Sequence, residues 1–525
     1  MNSFLRQSRV LSSRKSLFRF QSNGFSSFAS EKGIFPSLVI GPNKSILPQG
    51  SFAEAQARYL DPDPEIVAHL GQSLLAANMG VVAHYYMDVE LQGILTAVQR
   101  QLPDFRIGIA DSLAMGDMAV TMCRDTRVTA LACLGVDFMS ESVSAILDRN
   151  DFGNVPVYRS TARSIGCSLA EAAERTSYRA WLEREASNQP ALHVVYINTS
   201  LETKAISSSV VPTMACTSSN VLATMLQASA QVPNLKILYG PDTYMGQNLQ
   251  TLLDIILING WTDDRIRHEL HPLHNRGSIE QLRTNLVVFP HGNCIVHHMF
   301  GNAVVQTVKQ HYDDCFVTAH LEVPGEMFSI AMEKSLSDRG VVGSTSDILR
   351  FITRKVTEDA ATSNNSTTSQ RRLRFILGTE AGMVTSIVKS VQDIMEKAKS
   401  STEVEIIFPV SSEAVMGVEG DPNLSIVPGV AGGEGCSTAG GCATCPFMKM
   451  NDIDALQNII DMVQSGHNEV TLRSHLPPDR LRGKRINGVN ALDLGTESIM
   501  YMREFMLTKQ MPINLIDRLH GDSAS

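Results

Sequence analysis

Apolar runs that end in polar residues recur along the chain and predict buried β-strands. Three of these runs, VVAHYY, VVYIN and CFVTAHLE, end in a triplet with polar residues at its first and third positions. Those polar residues are His84 and Tyr86, Tyr196 and Asn198, and His320 and Glu322. A second apolar run follows each triplet and ends in a turn that contains Ser112, Ser218 or Thr345. The spacing leaves room for one helix, so each pair of runs predicts a β–α–β unit.

A third and a fourth apolar run follow in each case, so the same pattern occurs three times along the chain. The third runs end at the acids Asp137, Asp242 and Glu380, and a cysteine follows every fourth run. Strands that alternate with helices predict parallel sheets covered by helices. The sequence therefore predicts an α/β fold of three homologous three-layer αβα domains around a pseudo-threefold axis. The active site would lie at the centre, because ligands of parallel sheets bind at the carboxyl ends of the strands.

The repeat also predicts how the chain is divided. The predicted ranges are 1–32 for a transit peptide, 50–185, 186–310 and 311–510 for the three domains, and 511–525 for a C-terminal tail. Long spacers predict surface insertions around 187–193, 246–285, 357–372 and 411–424. The third of these insertions is polar and low in complexity, and we expect it to be disordered.

The first 30 residues are rich in arginine and serine and contain no acid before Glu31. This composition is typical of an organelle transit peptide rather than of a secretory signal, since basic residues interrupt every apolar stretch. We predict a mitochondrial destination, with the plastid as the alternative. Arginine outnumbers lysine here, and four residues could form an apolar stripe on a helix: Phe4, Leu5, Val10 and Leu11.

The composition of the 525 residues narrows the functional class. Hydrophobic residues make up 43% of the chain, and charged residues make up 19%. These proportions are those of an ordinary globular protein. The formal net charge of −9 argues against a general nucleic-acid binder. No apolar run is long enough to predict a transmembrane helix. The sequence predicts no oligomeric state.

Nine cysteines are too few for a disulfide scaffold, and they leave buried thiols or a metal site as explanations. The repeat selects Cys167 and Cys294, but it does not choose within the third group, which contains Cys436, Cys442 and Cys445. Thiolates suit iron–sulfur clusters and zinc. Three cysteines would leave one iron of a four-iron cluster free to act as a Lewis acid on a substrate oxygen. The other cysteines are interpreted as small buried apolar residues.

Nine short motifs in order resemble the quinolinate synthase family, from about residue 50 to about residue 510. They are AHYYMDVELQ, IADSLAMG, GVDFMSES, YINTSLETKA, CTSSN, CIVHHMF, AHLE, GSTSDIL and CATCPFMKMN. The resemblance implies a 4Fe–4S cluster held by one cysteine from each domain, namely Cys167, Cys294 and Cys445. It also implies that iminoaspartate and dihydroxyacetone phosphate condense to quinolinate, with release of phosphate and water, in de novo NAD biosynthesis. Leu321 stands where the family usually has proline.

The resemblance further implies which residues meet the substrate and which proteins cooperate. The implied contacts to iminoaspartate are His84, Ser112, Tyr196, Asn198, Ser218, His320, Glu322 and Thr345. L-aspartate oxidase would supply the iminoaspartate. Plant relatives carry an additional N-terminal sulfur-transfer domain, which this sequence does not contain. We therefore expect separate iron–sulfur assembly machinery to deliver the cluster.

The residue types fit this chemistry. Hydroxyls and backbone N–H groups at strand-to-helix turns can bind the two substrate carboxylates. The hypothesis for catalysis is that Glu322 and Tyr86 move the protons of enolisation and ring closure. In this hypothesis His84 and His320 mainly orient the substrate. The alternatives are an aconitase-like iron–sulfur hydratase and a sensor with an iron–sulfur cluster or zinc that has lost catalysis.

Two questions stay open in the sequence. The acids Asp137, Asp242 and Glu380 fit helix capping as well as catalysis. His297 fits an indirect contact to the cluster as well as ordinary packing.

Overall fold

The computed structural model describes residues 35–186, 189–363, 371–410, 444–466 and 469–521. The predicted transit peptide, the predicted insertion at 411–424, and Cys436 and Cys442 lie outside these ranges. The described chain begins with β1 (Ser37–Ile40), β2 (Ile46–Gln49) and the short helix α1 (Ser51–Ala57). The two strands are antiparallel, and β1 pairs with a strand far away in sequence, where Ser37 lies opposite Ile407.

The first unit of the repeat is a four-stranded parallel sheet with helices between its strands. Its elements are α2 (Pro64–Ala76), β3 (Met79–His84), α3 (Val89–Gln101), β4 (Ile107–Ala110), α4 (Ser112–Thr121), β5 (Ala130–Leu134), α5 (Asp137–Asp148), β6 (Val157–Arg159), α6 (Ser168–Glu174) and α7 (Thr176–Glu185). The strand order is β4-β3-β5-β6. Aspartates begin the helices after the first two strands: Asp88 accepts the N–H of Glu90, and Asp111 accepts those of Leu113 and Ala114.

The second unit repeats this arrangement. Its elements are β7 (Ala191–Tyr196), α8 (Leu201–Val210), β8 (Thr213–Cys216), α9 (Val221–Gln231), β9 (Lys236–Gly240), α10 (Thr243–Ile258), α11 (Asp263–Glu269), α12 (Arg276–Asn285) and β10 (Leu286–Val288). The prediction of surface insertions here was wrong. Residues 246–285 form three helices, and α10 places Leu249, Leu253 and Ile256 in the core at helical spacing. Likewise, the insertion expected around 187–193 ends in β7.

The third unit has the same parallel core. Its elements are α13 (Asn302–His311), β11 (Phe316–His320), α14 (Gly325–Ser335), β12 (Gly340–Gly343), α15 (Thr345–Ser363), β13 (Arg372–Gly378), α16 (Val384–Ala398) and β14 (Glu403–Ile407). Its strand order is β12-β11-β13-β14-β1-β2, so the N-terminal strands extend this sheet. The expected disorder at 357–372 was partly wrong, because α15 continues to Ser363 and β13 begins at Arg372. Residues 364–370 lie outside the described ranges.

The chain beyond Cys445 returns to the first two units. Its elements are α17 (Ile453–Ser465), α18 (Glu469–Ser474), β15 (Arg485–Ile486), β16 (Val489–Asn490), α19 (Ala491–Thr508) and α20 (Ile513–His520). Helix α17 buries Leu456 and Ile459 in the core of the first unit. Helices α19 and α20 bury Met502 and Leu515 against the second unit. The domain ranges are therefore proposed with two changes: strands β1 and β2 join the third unit, and the segment after Cys445 covers the other two.

The three sheets share one strand order. In each unit the first strand lies between the second and the third, and the fourth lies beside the third, all parallel. The α/β class predicted from the repeat is confirmed. Parallel strands bring their carboxyl ends to one edge of a sheet, which is where a ligand site is expected. Among the helices of the described part, none combines the length and the hydropathy needed to cross a bilayer.

Candidate active site

One cavity collects the residues that the sequence singled out. All twelve predicted site residues line it, and they come from the three units: His84, Tyr86, Ser112 and Cys167; Tyr196, Asn198, Ser218 and Cys294; His320, Glu322, Thr345 and Cys445. Most of them follow the first or second strand of their sheet, and the cysteines follow the fourth. The cavity therefore lies where the carboxyl ends of three sheets meet.

Side chains of one unit form hydrogen bonds with loops around the cavity that belong to another unit. Gln92 of α3 donates to the carbonyls of Tyr85 and Met87 at 2.7 and 2.9 Å, and to the carbonyl of Gly382 in the third unit at 2.6 Å. Glu141 of α5 accepts the N–H of Leu201 in the second unit at 2.8 Å. These bonds link the strand-end loops of different sheets, so the loops do not move independently.

The loop that carries Glu322 is held in the same way by the second unit. Asn248 of α10 donates its amide to the carbonyls of Leu321 and Val323, at 2.9 and 2.7 Å. These residues flank Glu322, so the backbone of the catalytic candidate is fixed on both sides. Leu321, which replaces the usual proline of the family, uses its carbonyl in this contact. Such a role needs no particular side chain.

His84 and His320 share one tautomer. The Nδ1 atom of His84 accepts the N–H of Tyr86 at 3.1 Å, and that of His320 accepts the N–H of Glu322 at 3.3 Å. Burial lowers the pKa of His84 to about 3 and that of His320 to about 4, so both rings are neutral at pH 7. A neutral ring whose Nδ1 accepts carries its proton on Nε2. Each ring can therefore donate one hydrogen bond to a substrate oxygen.

Glu322 is an enclosed carboxylate with its own donors. It is 2% exposed, and Tyr196 donates its hydroxyl to Oε1 while His297 donates from Nδ1 to Oε2 at 3.1 Å. Burial would raise the pKa of Glu322, but the neighbouring His297 and His320 and these hydrogen bonds lower it to about 2. Nδ1 of His320 lies 3.6 Å from Oε1. This contact is not an ion pair, because that nitrogen is already an acceptor in a neutral ring.

The two tyrosines keep their protons. Burial and the charge of Glu322 hold the pKa of Tyr86 and of Tyr196 well above 10. The hydroxyl of Tyr86 lies 3.4 Å from Oγ1 of Thr379, and its ring packs edge-on against His84 with centroids 4.9 Å apart. At neutral pH both hydroxyls are proton donors, whereas Glu322 is an acceptor.

Hydroxyls at helix N-termini lie on the same cavity. Ser112 and Thr345 are the first residues of α4 and α15, and Ser218 stands in the turn before α9. The turn is fixed because the N–H of Thr217 donates to the side chain of Asn220 at 2.8 Å. Helix N-termini attract anions through unpaired N–H groups and the helix dipole. This cavity is therefore suited to a substrate with carboxylate groups.

The three cysteine loops contact each other, which fits a shared metal group. Ser168, next to Cys167, donates to the carbonyl of Asn293 at 3.0 Å, directly before Cys294. A Cβ at Gly166 would lie 3.1 Å from the ring of Phe447, so glycine allows the Cys167 loop to approach the Cys445 loop. Burial raises the pKa of Cys167 to about 11 and that of Cys294 well above 9, and the charge of Glu322 raises the pKa of Cys294 further. A metal would be needed to bind these groups as thiolates.

The acids of the third loops are not equivalent. Asp137 is paired with Arg159 at 2.8 Å and with Ser164 at 2.7 Å, which is a structural role. Asp242 caps α10 through the N–H of Met245, and Glu380 accepts the N–H of Cys445 at 2.7 Å. The second oxygen of each of these two acids has no hydrogen-bond partner among the described residues. Burial raises the pKa of both carboxyl groups well above the usual range, which favours their protonated form.

Sequence reasoning missed two members of the site. His297 was left undecided between indirect contact and packing, and Thr379 was not selected. His297 is fully buried and bonds to Glu322, and its Nε2 lies 3.3 Å from Oγ1 of Thr379. A signal for Thr379 was available, since it ends β13 directly before Glu380. For His297 the CIVHH motif does not say which of its two histidines points inward.

Known proteins resemble this chain over most of its length. A family model described as NadA, quinolinate synthetase A protein, matches residues 69–478. A chloroplastic quinolinate synthase of Nicotiana tabacum is 49% identical over 502 residues, which are 94% of this chain and 68% of that protein. A chloroplastic quinolinate synthase of Arabidopsis thaliana is 46% identical over 495 residues, or 92% of this chain and 67% of that protein.

A bacterial relative is more distant. A quinolinate synthase of Ehrlichia chaffeensis is 25% identical over 407 residues, which are 77% of this chain and 90% of that protein. The chain thus spans about two thirds of the plant relatives' length and most of the bacterial one.

Proposed function

This chain belongs to the quinolinate synthetase A family, and on that premise we propose that it condenses iminoaspartate with dihydroxyacetone phosphate to quinolinate. Phosphate and water are released, and the product enters de novo NAD biosynthesis. The observation that carries the proposal is one cavity lined by all eleven residues that the resemblance singles out and by Tyr86.

Cys167, Cys294 and Cys445 would hold a 4Fe–4S cluster at this cavity. The available ligands support this cluster. Three thiols from three contacting loops are soft ligands, and they are one fewer than the four cysteines that usually hold such a cluster. When bound, such a cluster supplies a Lewis-acidic iron that polarises a substrate oxygen. Glu380 supports the arrangement from the protein side, since its carboxyl group holds the N–H of Cys445.

The substrate carboxylates would bind to Ser112, Ser218 and Thr345 at the helix N-termini. The Nε2–H groups of His84 and His320 would add two donors whose direction is fixed by the bonds at Nδ1. Fixed donors lower the entropy cost of orienting a flexible dicarboxylate. Asn198 lines the same cavity and can bind either an oxygen or the imine nitrogen.

Glu322 is proposed as the base and Tyr86 as the partner acid for enolisation and ring closure. The ionised carboxylate can take a proton from carbon, and Tyr86 can give one to a developing oxyanion. Tyr196 donates to Glu322 and so keeps one oxygen of the base in a defined position. The cavity is buried, which keeps bulk water away from reactive imine and enol groups.

We also propose the pseudo-threefold arrangement of the units. Three contacts support it, each between the region after the third strand of one unit and the loop after the first strand of the next. Glu141 reaches Leu201, Asn248 reaches Leu321, and Gly382 meets Gln92, which holds the Tyr85 loop. A closed cycle of equivalent contacts is what rotation of one unit about a central axis generates.

The destination of the chain is proposed to be the plastid. The mitochondrial prediction is not supported, since the similar plant proteins are named chloroplastic. Residues 1–32, from which that prediction was made, lie outside the described part of the chain. L-aspartate oxidase and an iron–sulfur assembly system are proposed partners, because the reaction needs iminoaspartate and a cluster.

The alternative functions are not favoured. Neither an aconitase-like hydratase nor a sensor needs three carboxylate-binding helix ends together with an enclosed glutamate. The family match points to the synthase.

The test is an anaerobic assay on the purified chain. Incubation with aspartate oxidase, aspartate and dihydroxyacetone phosphate is expected to yield quinolinate, measured by chromatography. Cys167→Ser is expected to lose the broad absorbance near 400 nm and the activity. Cys123→Ser, which changes a buried cysteine outside the cavity, is the matched control. A colourless wild-type protein, or a coloured one that makes no quinolinate, would contradict the proposal.

A further inference from the structure

His297 belongs to the second unit and contacts His320 and Glu322 of the third. It begins a short turn, His297–Met299, three residues after Cys294. Its ring is fully buried, lies 11° from parallel with that of His320, and has its centroid 4.7 Å away. This side chain has no role yet in substrate binding or catalysis. Burying an imidazole costs free energy unless both of its nitrogens form hydrogen bonds.

The hydrogen bonds determine where its proton lies. An ionised Glu322 can only accept, so Nδ1 of His297, at 3.1 Å from Oε2, must carry hydrogen. Nε2 lies 3.3 Å from the hydroxyl of Thr379, so both ring nitrogens have a polar partner. The Nδ1 atom of His297 is therefore a donor, whereas the Nδ1 atoms of His84 and His320 accept backbone N–H groups.

The geometry leaves the ring no other orientation that serves both neighbours. Rotation about the Cβ–Cγ bond would place a carbon atom against Glu322 and leave a buried carboxylate oxygen without its donor. Stacking on His320 and packing near Phe300 and Tyr86 limit that rotation further. The contacts described above fix the backbone of Glu322 through Asn248, and His297 fixes its side chain.

We propose that His297 is a positioning residue for the base, a role that rests on the proposed function of Glu322. Its Nδ1–H holds Oε2, so that Oε1 stays with Tyr196 at the cavity and the carboxylate stays ionised. Thr379 supports this position with a polar contact at Nε2 on the other side of the ring. Of these three buried histidines, His84 and His320 thus face the substrate, whereas His297 faces the base.

Three variants separate this role from simple packing. His297→Asn places an amide N–H near the position of Nδ1, whereas His297→Gln places its amide near Nε2 and loses the donor to Glu322. His297→Leu removes both the Nδ1 donor to Glu322 and the Nε2 contact to Thr379. His298→Leu is the matched control, because the neighbouring histidine is exposed and bonds to Tyr244 at 2.7 Å. Each protein is assayed for kcat, KM, iron content and absorbance near 400 nm.

His297→Leu and His297→Gln are expected to lower kcat by about 10²-fold, the cost of a displaced catalytic group, with KM changed by less than about threefold. His297→Asn is expected to recover kcat to within about tenfold of wild type. Iron content and absorbance should stay at the wild-type level in all three variants. Loss of iron in His297→Asn and His297→Gln alike, or equal activities of these two variants, would overturn the proposal. A wild-type protein that makes no quinolinate would instead overturn the proposed function.

Discussion

The triplets at the ends of the first strands of the first and third units share one backbone hydrogen-bond pattern, but their side chains differ in chemistry. In both, a buried histidine accepts the N–H of the residue two positions later. That later residue is Tyr86 in the first unit and Glu322 in the third. The tyrosine meets hydroxyls of the third unit, those of Thr379 and Thr345, whereas the glutamate has two donors, Tyr196 and His297. Equivalent positions of a repeat thus place a protonated phenol and an ionised carboxylate on one cavity.

The surroundings explain the difference. A buried phenol needs one partner and keeps its proton, because burial penalises the charged form. A buried carboxylate stays ionised only when donors replace the water that it has lost. Among the described residues, the second unit supplies both donors of Glu322 but no hydrogen bond to the hydroxyl of Tyr86. The position in the repeat therefore fixes where a side chain lies, while the neighbouring unit determines what that side chain does.

Of the variants at the two triplets, Glu322→Gln should lower kcat the most. Glutamine keeps the size and the hydrogen-bond acceptor but cannot take a proton. The kcat is expected to fall by about 10²- to 10⁴-fold, the usual contribution of a general base. Iron content and absorbance near 400 nm serve as the control and should not change. Turnover within a few-fold of wild type would show that Glu322 is not the base.

Tyr86→Phe should have the next largest effect. The ring packing against His84 is kept and the only proton that Tyr86 can donate is lost. We expect kcat to fall by about 10²-fold, at the lower end of acid–base contributions. Tyr85→Phe is the matched control, since the adjacent tyrosine does not line the cavity. Equal kinetics of the two variants would remove Tyr86 from the mechanism.

His84→Asn and His320→Asn test the role of the histidine that both triplets contain. Asparagine can keep an acceptor for the N–H two residues later, but it loses the Nε2–H that faces the cavity. A hydrogen bond to a charged carboxylate is worth about 1.5–3 kcal/mol, so KM for iminoaspartate should rise by about tenfold or more. The two variants are expected to behave alike in steady-state kinetics. A change confined to kcat would contradict an orienting role.

The smallest effect concerns stability against pH. His84 has a folded pKa of about 3, and the pKa of an unfolded histidine is near 6.5. Between these values the unfolded chain binds a proton that the folded chain does not, so stability falls as pH falls. The loss is about 1.4 kcal/mol per pH unit for each such histidine. Glu322, with a folded pKa of about 2, contributes stability that is lost only below about pH 4.3.

Denaturant unfolding at pH 6.2 and 5.2 measures this difference. The free energy of unfolding should drop less in His84→Asn than in wild type, by about 1.4 kcal/mol per pH unit. Glu322→Gln should show the wild-type drop in this window. An identical pH dependence in all three proteins would mean that His84 is not buried in its neutral form.

The sequence by itself determined the repeat, the α/β class and the residues at the strand ends. Apolar periodicity marks each strand, and polar residues such as His84 and Glu322 mark where it ends. Because parallel strands share one edge, local pattern was enough to predict that these residues lie at the same edge of each sheet. The local sequence pattern did not predict elements that are stabilised by residues distant in sequence. Helix α10 was taken for an insertion, and β1 and β2 were missed, since they add to a sheet whose other strands lie far along the chain.

Only the tertiary structure decided how equivalent residues differ. Asp137 and Glu380 follow corresponding strands, yet one is neutralised by Arg159 and the other holds the loop of Cys445. His297 and His298 are neighbours in one motif, and the fold buries the first against Glu322 and exposes the second. The charge state of Glu322 and the direction of its hydrogen bonds depend on groups that another unit brings within about 3 Å. Those groups are remote in sequence, so no local pattern contains them.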